Sequence, residues 1–216
     1  MAGRRHLLAA DPELAALIRR VGRCRLRADT TREPFESLIR AIAHQQLHGR
    51  AAEAILGRML ALDRGDGGGA FPDAAGLLAV APEALRGCGF SMGKIAAMRA
   101  VCEARLAGVV PTRRQAARMP DEVLIERLTS LKGIGRWTVE MLLIFSLGRP
   151  DVMPVDDFAV REGWRLIKKL DRQPKPKQLL ADTRALSPYR SMAAWYLWRA
   201  ADEAKPPGIA NPMTGA

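Results

Sequence analysis

A chain of 216 residues is long enough for one good hydrophobic core, or for two small helical lobes sharing one. Hydrophobic residues make up 48%, ordinary for a folded protein, so disorder is expected only at the ends. The formal net charge of +11 favours a polyanionic partner, and nucleic acid ranks before membrane because no basic amphipathic stretch dominates. A generally basic proteome would give the same surplus, so charge alone does not decide.

Cys24, Cys88 and Cys102 are far apart and odd in number. They form neither a disulfide framework nor a metal-ligand spacing, and no cysteine cluster near the C-terminus suits an iron–sulfur site. The expectation is no cofactor and no metal. The N-terminus has no long apolar stretch and no apolar run is long enough to span a bilayer, so a soluble cytoplasmic protein is expected, nucleoid-associated if bacterial.

In chain order, Asp11-Pro12-Glu13 starts a helix whose apolar positions are Leu14, Leu17, Ile18 and Val21, stopped by Gly22. Thr30 or Thr31 is expected to cap the next, with Phe35, Leu38, Ile39, Ile42 and Ala43 as its stripe. This stripe runs into the polar cluster from Ala43 to Arg50, after which 51–62 is again helical. The loop at 63–70 is the one low-complexity stretch. Short helices are expected at 72–80 and 82–86, then a longer one at 92–106 with Lys94 and Arg99 on its polar side. Boundaries fall at Pro111-Thr112 and Met119-Pro120. Helices follow at 122–131 and 136–147, then from Val155 to about Leu170 with Phe158, Val160, Trp164 and Ile167 inward. The last two are expected at 178–186 and 192–204, with a loose tail beyond Pro206. Alternating β patterns are almost absent and no fixed-period repeat is visible, so about eleven helices and an all-α fold are predicted.

The chemistry concentrates around Leu131-Lys132-Gly133-Ile134-Gly135-Arg136-Trp137-Thr138. A Gly-x-Gly turn between two helices allows positive φ and close approach to bare backbone. The amides opening the second helix point outward at the positive end of its dipole, a place suited to phosphate, and Lys132 and Arg136 flank it with cations. Taken alone, such a turn is more often only a turn. Twenty residues on, Asp156-Asp157 offers paired carboxylates, whose bland role is to cap the following helix. Trp137, Tyr189, Trp195, Tyr196 and Trp198 are five of the eleven aromatics and lie near the turn or on the last helix. They either fill the core or form a stacking pocket.

These residues, with Asp151-Val152 and Asp156-Asp157, closely resemble the helix-hairpin-helix DNA glycosylase superfamily, and within it the alkylation-repair branch of 3-methyladenine DNA glycosylase II. Arg40-Ala-Ile-Ala-His-Gln-Gln-Leu47, Gly89-Phe-Ser-x-x-Lys94 and Pro188-Tyr-Arg-Ser-x-Ala-Ala-Trp-Tyr-Leu-Trp198 are similar to further family landmarks, so the resemblance covers roughly residues 8 to 204. It implies an all-α, two-lobed glycosylase with a helix-hairpin-helix motif at 122–147 and a central cleft. Residues 30–152 would form the central lobe, and 1–29 plus 153–216 the second. The extra N-terminal β domain of related bacterial enzymes is not expected here.

The resemblance also implies roles. Breaking an N-glycosidic bond builds positive charge on the sugar, which a carboxylate beneath it stabilises. Gapless counting puts the catalytic Asp on Asp157, while alignment on Pro-Val-Asp, as in the oxidised-guanine branch, puts it on Asp156. Asp157 is favoured and both stay open. Trp137, Trp198, Tyr189 and Trp195 are the base-pocket candidates. Lys132, Gly133, Gly135, Arg136 and Thr138 would hold the DNA strand. Gln45, Gln46 and Leu47 would fill the hole left by a flipped base, or else be a polar helix end beside a core leucine. His44 and His48 lack acidic or cysteine partners and are expected to be surface residues. Bifunctional relatives carry Lys at position 137, where it forms a Schiff base; Trp cannot, so a monofunctional enzyme acting on damaged duplex DNA is implied. Nothing in the sequence asks for a partner subunit, so a monomer is expected. The alternatives are a non-catalytic helix-hairpin-helix DNA-binding module, or a glycosylase for deaminated or mismatched bases.

Overall fold

The computed structural model describes residues 2–45, 47, 49–62 and 71–204. Gln46, His48, the glycine-rich stretch at 63–70 and the tail from 205 on lie outside the described residues. Among those described, the regular structure is thirteen α-helices and one short 3-10 helix, with no strand, as the all-α reading requires. No described helix is long and apolar enough to cross a membrane.

The chain opens with α1 (Ala2–Ala10), of which the sequence pattern gives no sign; only Gly3 and Leu7 are buried along it. Gly3 is small for a reason: a Cβ there would stand 2.9 Å from the Tyr189 ring. In α2 (Pro12–Val21) the Asp11 carboxylate accepts from the Leu14 amide at 2.9 Å, and Gly22 ends the helix at φ +85°. The start of α3 (Pro34–His44) departs from expectation. Neither Thr30 nor Thr31 caps it; Glu33 precedes it with no side-chain cap bond, and Thr31 bonds Asp29 instead. Pro34 at the first position has no N–H to satisfy, which lessens the need for a cap.

Then come α4 (Gly49–Leu62), α5 (Ala74–Ala79), α6 (Pro82–Gly87) and α7 (Met92–Leu106), whose first turn is capped by Ser91 accepting from the Lys94 amide. Both α3 and α5 pack on α7. Thr112 and Gln115 form a reciprocal capping box at α8 (Arg113–Ala116), one turn of helix where the sequence shows only a boundary. The helices α9 (Asp121–Thr129) and α10 (Arg136–Phe145) follow, joined by the Gly-x-Gly turn. The last three are α11 (Phe158–Ile167), α12 (Pro176–Asp182) and α13 (Arg190–Glu203), with the 3-10 turn at Arg184–Leu186 before α13. Phe158, expected inward, is 68% exposed because it opens α11 on the side away from Val160 and Trp164. Leu47 is 39% exposed and so is not a core leucine.

Contacts divide the chain into two compact units, residues 29–142 and residues 1–28 with those from 143 on. Residues 143–152, assigned to the central lobe in the sequence reading, fall with the second unit. The boundary cuts within the continuous helix α10, where Phe145 stacks on Trp198 at 5.5 Å.

In the second unit α11 packs chiefly on α13. Glycine is required at the crossing: a Cβ on Gly163 would lie 2.1 Å from the Leu197 carbonyl oxygen. Trp198 and Tyr196 on α13 are completely buried, and the Tyr196 hydroxyl donates to the Gly22 carbonyl at 2.8 Å. Gly163→Ala would force the two helices apart. A loss of about 1–3 kcal/mol, typical of overpacking, is expected in a urea titration; unchanged stability would show that the crossing yields without cost.

Candidate functional site

The Gly-x-Gly turn of the hairpin lies wholly in the 29–142 unit. Gly133 takes φ +83°, and a Cβ there would come within 2.6 Å of the Ala97 Cβ on α7, so two constraints demand glycine. Gly135 has neither positive φ nor a close neighbour; its bareness instead leaves the backbone open. The Ile134 amide is used by Leu131, whereas the Gly133 and Gly135 amides meet no acceptor among the described residues. Both glycines and Lys132 are exposed. The arrangement is a backbone cradle for an anion with one cation at its edge.

Two of the expected strand-holding side chains are otherwise engaged. The Arg136 guanidinium grips Glu122 with two bonds, 3.0 and 2.7 Å, and Glu140 with a third at 3.0 Å. The hydrogen bonds it donates to Glu122, with both carboxylate charges, raise its pKa against the opposing effect of burial. Arg136 therefore ties α9 to α10 and shapes the hairpin. Thr138 is only 3% exposed, so its side chain is part of the packing.

The loop after α3 is joined to this hairpin. The Gln45 side-chain amide donates to the Gly133 carbonyl at 3.1 Å, and the Lys94 ammonium donates to the Ala43 carbonyl, in the last turn of α3, at 2.8 Å. Burial lowers the Lys94 pKa. One helix thus braces two features: Ala97 under Gly133, and Lys94 at the end of α3. The sequence marks Lys94 only as a landmark; nothing local shows which carbonyl it reaches. His44 bonds Glu53 at 3.0 Å, a surface contact.

In the other unit the two carboxylates differ sharply. Asp156 is exposed. Asp157 is 7% exposed and N-caps α11, its Oδ1 accepting from the Val160 amide at 2.8 Å and from the Trp198 indole N–H at 3.1 Å. The cap role and a catalytic one are therefore compatible, since two donors fix the orientation of the carboxylate. Trp198 itself has no exposed surface, and what it offers here is its indole N–H, donated to Asp157. Trp195 is 3% exposed, edge-on to Tyr196 at 5.1 Å with Arg199 over its ring, and reads as core. Tyr189 is half-buried and borders a cavity of about 310 Å³ with Cys24, Leu26, Ala28, Ile144 and Met192. Trp137, half-buried on α10, belongs to the 29–142 unit.

The loop leading to Asp157 is clamped by α13, which the sequence did not reveal. Arg190 binds Asp151 side on, Nε to Oδ1 at 2.7 Å and Nη2 to Oδ2 at 3.0 Å, and Ser187 adds a hydroxyl at 2.7 Å. The Ser191 hydroxyl donates to the Arg149 carbonyl and accepts from the Val152 amide. These partners stand about forty positions apart, beyond any local pattern.

Burial pulls the Asp151 carboxyl upward, but the bonds from Arg190 and Ser187 and the Arg190 charge outweigh it and leave the pKa below its usual 3.8. A lowered folded-state pKa means that the clamp stabilises fully above the ordinary Asp value and loses that contribution as pH falls through the lowered one. Asp151→Asn should lower the urea midpoint at neutral pH and flatten its decline between about pH 5 and 2. A parallel decline in wild type and variant would remove Asp151 from the acid limb.

The pattern of the HhH-GPD superfamily of base excision DNA repair proteins matches residues 39–188. The chain is 44% identical over 205 residues to DNA-3-methyladenine glycosylase 1 of Schizosaccharomyces pombe, covering 93% of this chain and 89% of that protein. The structure of that yeast 3-methyladenine DNA glycosylase in complex with abasic DNA superposes with a TM-score of 0.84 over 92% of this chain and 96% of that one, at 43% identity. A DNA-3-methyladenine glycosidase from Bacillus halodurans gives 0.82 at 36% identity, over 93% and 89%. With its hairpin glycines, its capped carboxylate and a match over most of its length, the chain belongs to the HhH-GPD superfamily of base excision repair DNA glycosylases.

Proposed function

We propose that this glycosylase hydrolyses the N-glycosidic bond of flipped-out alkylated purines, such as 3-methyladenine and 7-methylguanine, in duplex DNA and leaves an abasic site. The names of the yeast and Bacillus relatives support this lesion class. The observation that carries the reading is Asp157, buried yet held in a fixed orientation by the Val160 amide and the Trp198 indole.

The residues divide the work as follows. The exposed amides of Gly133 and Gly135 take a strand phosphate, with Lys132 beside them. Leu47, partly exposed at the end of the Gln45 loop, fills the space vacated by the base and offsets part of the unstacking cost. A base made cationic by alkylation gains from an electron-rich ring, for which half-buried Trp137 and Tyr189 are the candidates. As the bond to the base lengthens, the Asp157 carboxylate stabilises the positive charge on the sugar and orients the attacking water. Trp137 has no amine to form a Schiff base, so the strand stays intact.

The test is base release from methylated duplex DNA under single turnover. Asp157→Asn should lower the rate by at least about 100-fold, and Asp156→Asn should leave it within a few-fold. The reverse pattern moves the catalytic role to Asp156. Borohydride should trap no covalent complex with the wild type. Release from deaminated or mismatched duplexes alone would replace the lesion class, and DNA binding without release from any damaged duplex would reduce the protein to a binding module.

A further inference from the structure

Beyond the hairpin and Asp157, the segment joining α2 to the 29–142 unit carries a charge pattern that the roles above do not use. From 23 to 28 it reads Arg-Cys-Arg-Leu-Arg-Ala, outside any helix, and its burial alternates: Arg23, Arg25 and Arg27 are exposed while Cys24, Leu26 and Ala28 are partly buried. Period-two alternation is what an extended backbone produces, with successive side chains on opposite faces and i, i+2 neighbours about 7 Å apart. The inner face is well seated. Cys24, Leu26 and Ala28 line the 310 Å³ cavity, and the Gly22 carbonyl before them accepts from the Tyr196 hydroxyl at 2.8 Å.

The outer face is unneutralised. Arg20, three residues before, pairs with Glu203 at 2.7 Å, but Arg23, Arg25 and Arg27 have no ion pair or side-chain hydrogen bond among the described residues. Three exposed guanidiniums at every second residue form a row of charge-assisted donors without acceptors among the described residues. Leaving them so repels the folded state, and an acceptor that is itself a row of evenly spaced anions relieves that repulsion.

We infer that Arg23, Arg25 and Arg27 form a second nucleic-acid contact surface, which binds the phosphodiester backbone independently of base identity. The inference rests on the glycosylase reading for its duplex partner. Its consequence is that part of the affinity comes from a ladder outside the hairpin, read through counterion release and not through the lesion.

The experiment measures binding of the full-length protein to a duplex carrying an abasic-site analogue, by fluorescence anisotropy across a salt series. Replacing Arg23, Arg25 and Arg27 together with Ala should reduce the slope of log affinity against log salt by about 2 to 3, near 0.9 per lost phosphate contact, and weaken binding at least ten-fold at moderate salt. Replacing the same three with Lys should keep most of the slope, which separates charge from damage to the fold. A charge-matched control replaces exposed Arg86, Arg114 and Arg118, which also lack ion pairs, with Ala; its slope should change by less than about 1. Equal losses in both triple variants would make the ladder part of a diffuse basic surface and overturn the proposal, as would an unchanged slope in the ladder variant. A wild type without salt-dependent duplex binding would overturn the glycosylase reading as well; a wild type that binds while the ladder variant matches it overturns the ladder alone.

Discussion

The contact between α11 and α13 is the constraint on which the candidate active site depends. Gly163 has no room for even a methyl group against the Leu197 carbonyl, so the two helices meet backbone to backbone. That closeness brings the Trp198 indole within 3.1 Å of Asp157. A carboxylate that is 7% exposed is costly unless donors meet it, and here the start of its own helix and the neighbouring helix supply one each. In the proposed reaction, a charge already fixed where positive charge develops avoids reorganisation at the moment of bond cleavage. The clamp from Arg190 and Ser191 onto the 149–152 loop extends the same logic to the segment that delivers Asp157.

The other unit follows a similar economy with different parts. Here α7 is the platform. Ala97 sits directly beneath Gly133, and Lys94 reaches the last turn of α3. The Gln45 side chain closes the arrangement by bonding the Gly133 carbonyl, so the loop after α3 and the Gly-x-Gly turn are tied to each other. Arg136, a natural phosphate ligand by type, instead spends its guanidinium on Glu122 and Glu140. Its charge sets the hairpin's shape, so the proposed phosphate contact rests on bare amides and Lys132.

How much of this was legible in the sequence depends on the range of the interaction. Local patterns carried well: Asp11-Pro12 opened a helix, the stripe from Phe35 to Ala43 was buried, and the glycines marked the hairpin. Helix α1 was not legible because a short segment with little buried surface owes its helicity to its neighbours. The aromatic residues of α13 showed the limit of composition. Trp195 and Trp198 have identical chemistry and lie three residues apart, yet one packs against Tyr196 and the other supports a carboxylate. Residue type could not tell them apart, and neither could it tell that Phe158 points outward. The Asp151–Arg190 clamp and the Lys94 brace are long-range pairings of ordinary surface residue types, which no spacing rule exposes.

If Trp198 serves catalysis by orienting Asp157, deleting its indole N–H must slow base release without weakening DNA binding. Trp198→Phe retains an aromatic ring beside Phe145 and deletes the donor to Oδ1. Single-turnover base release from a methylated duplex, at saturating folded enzyme, should fall by at least about ten-fold, the equivalent of 1.4 kcal/mol, while affinity for an abasic-analogue duplex stays within about two-fold. A rate equal to wild type, or a loss of affinity that accounts for the whole change in rate, would contradict the account.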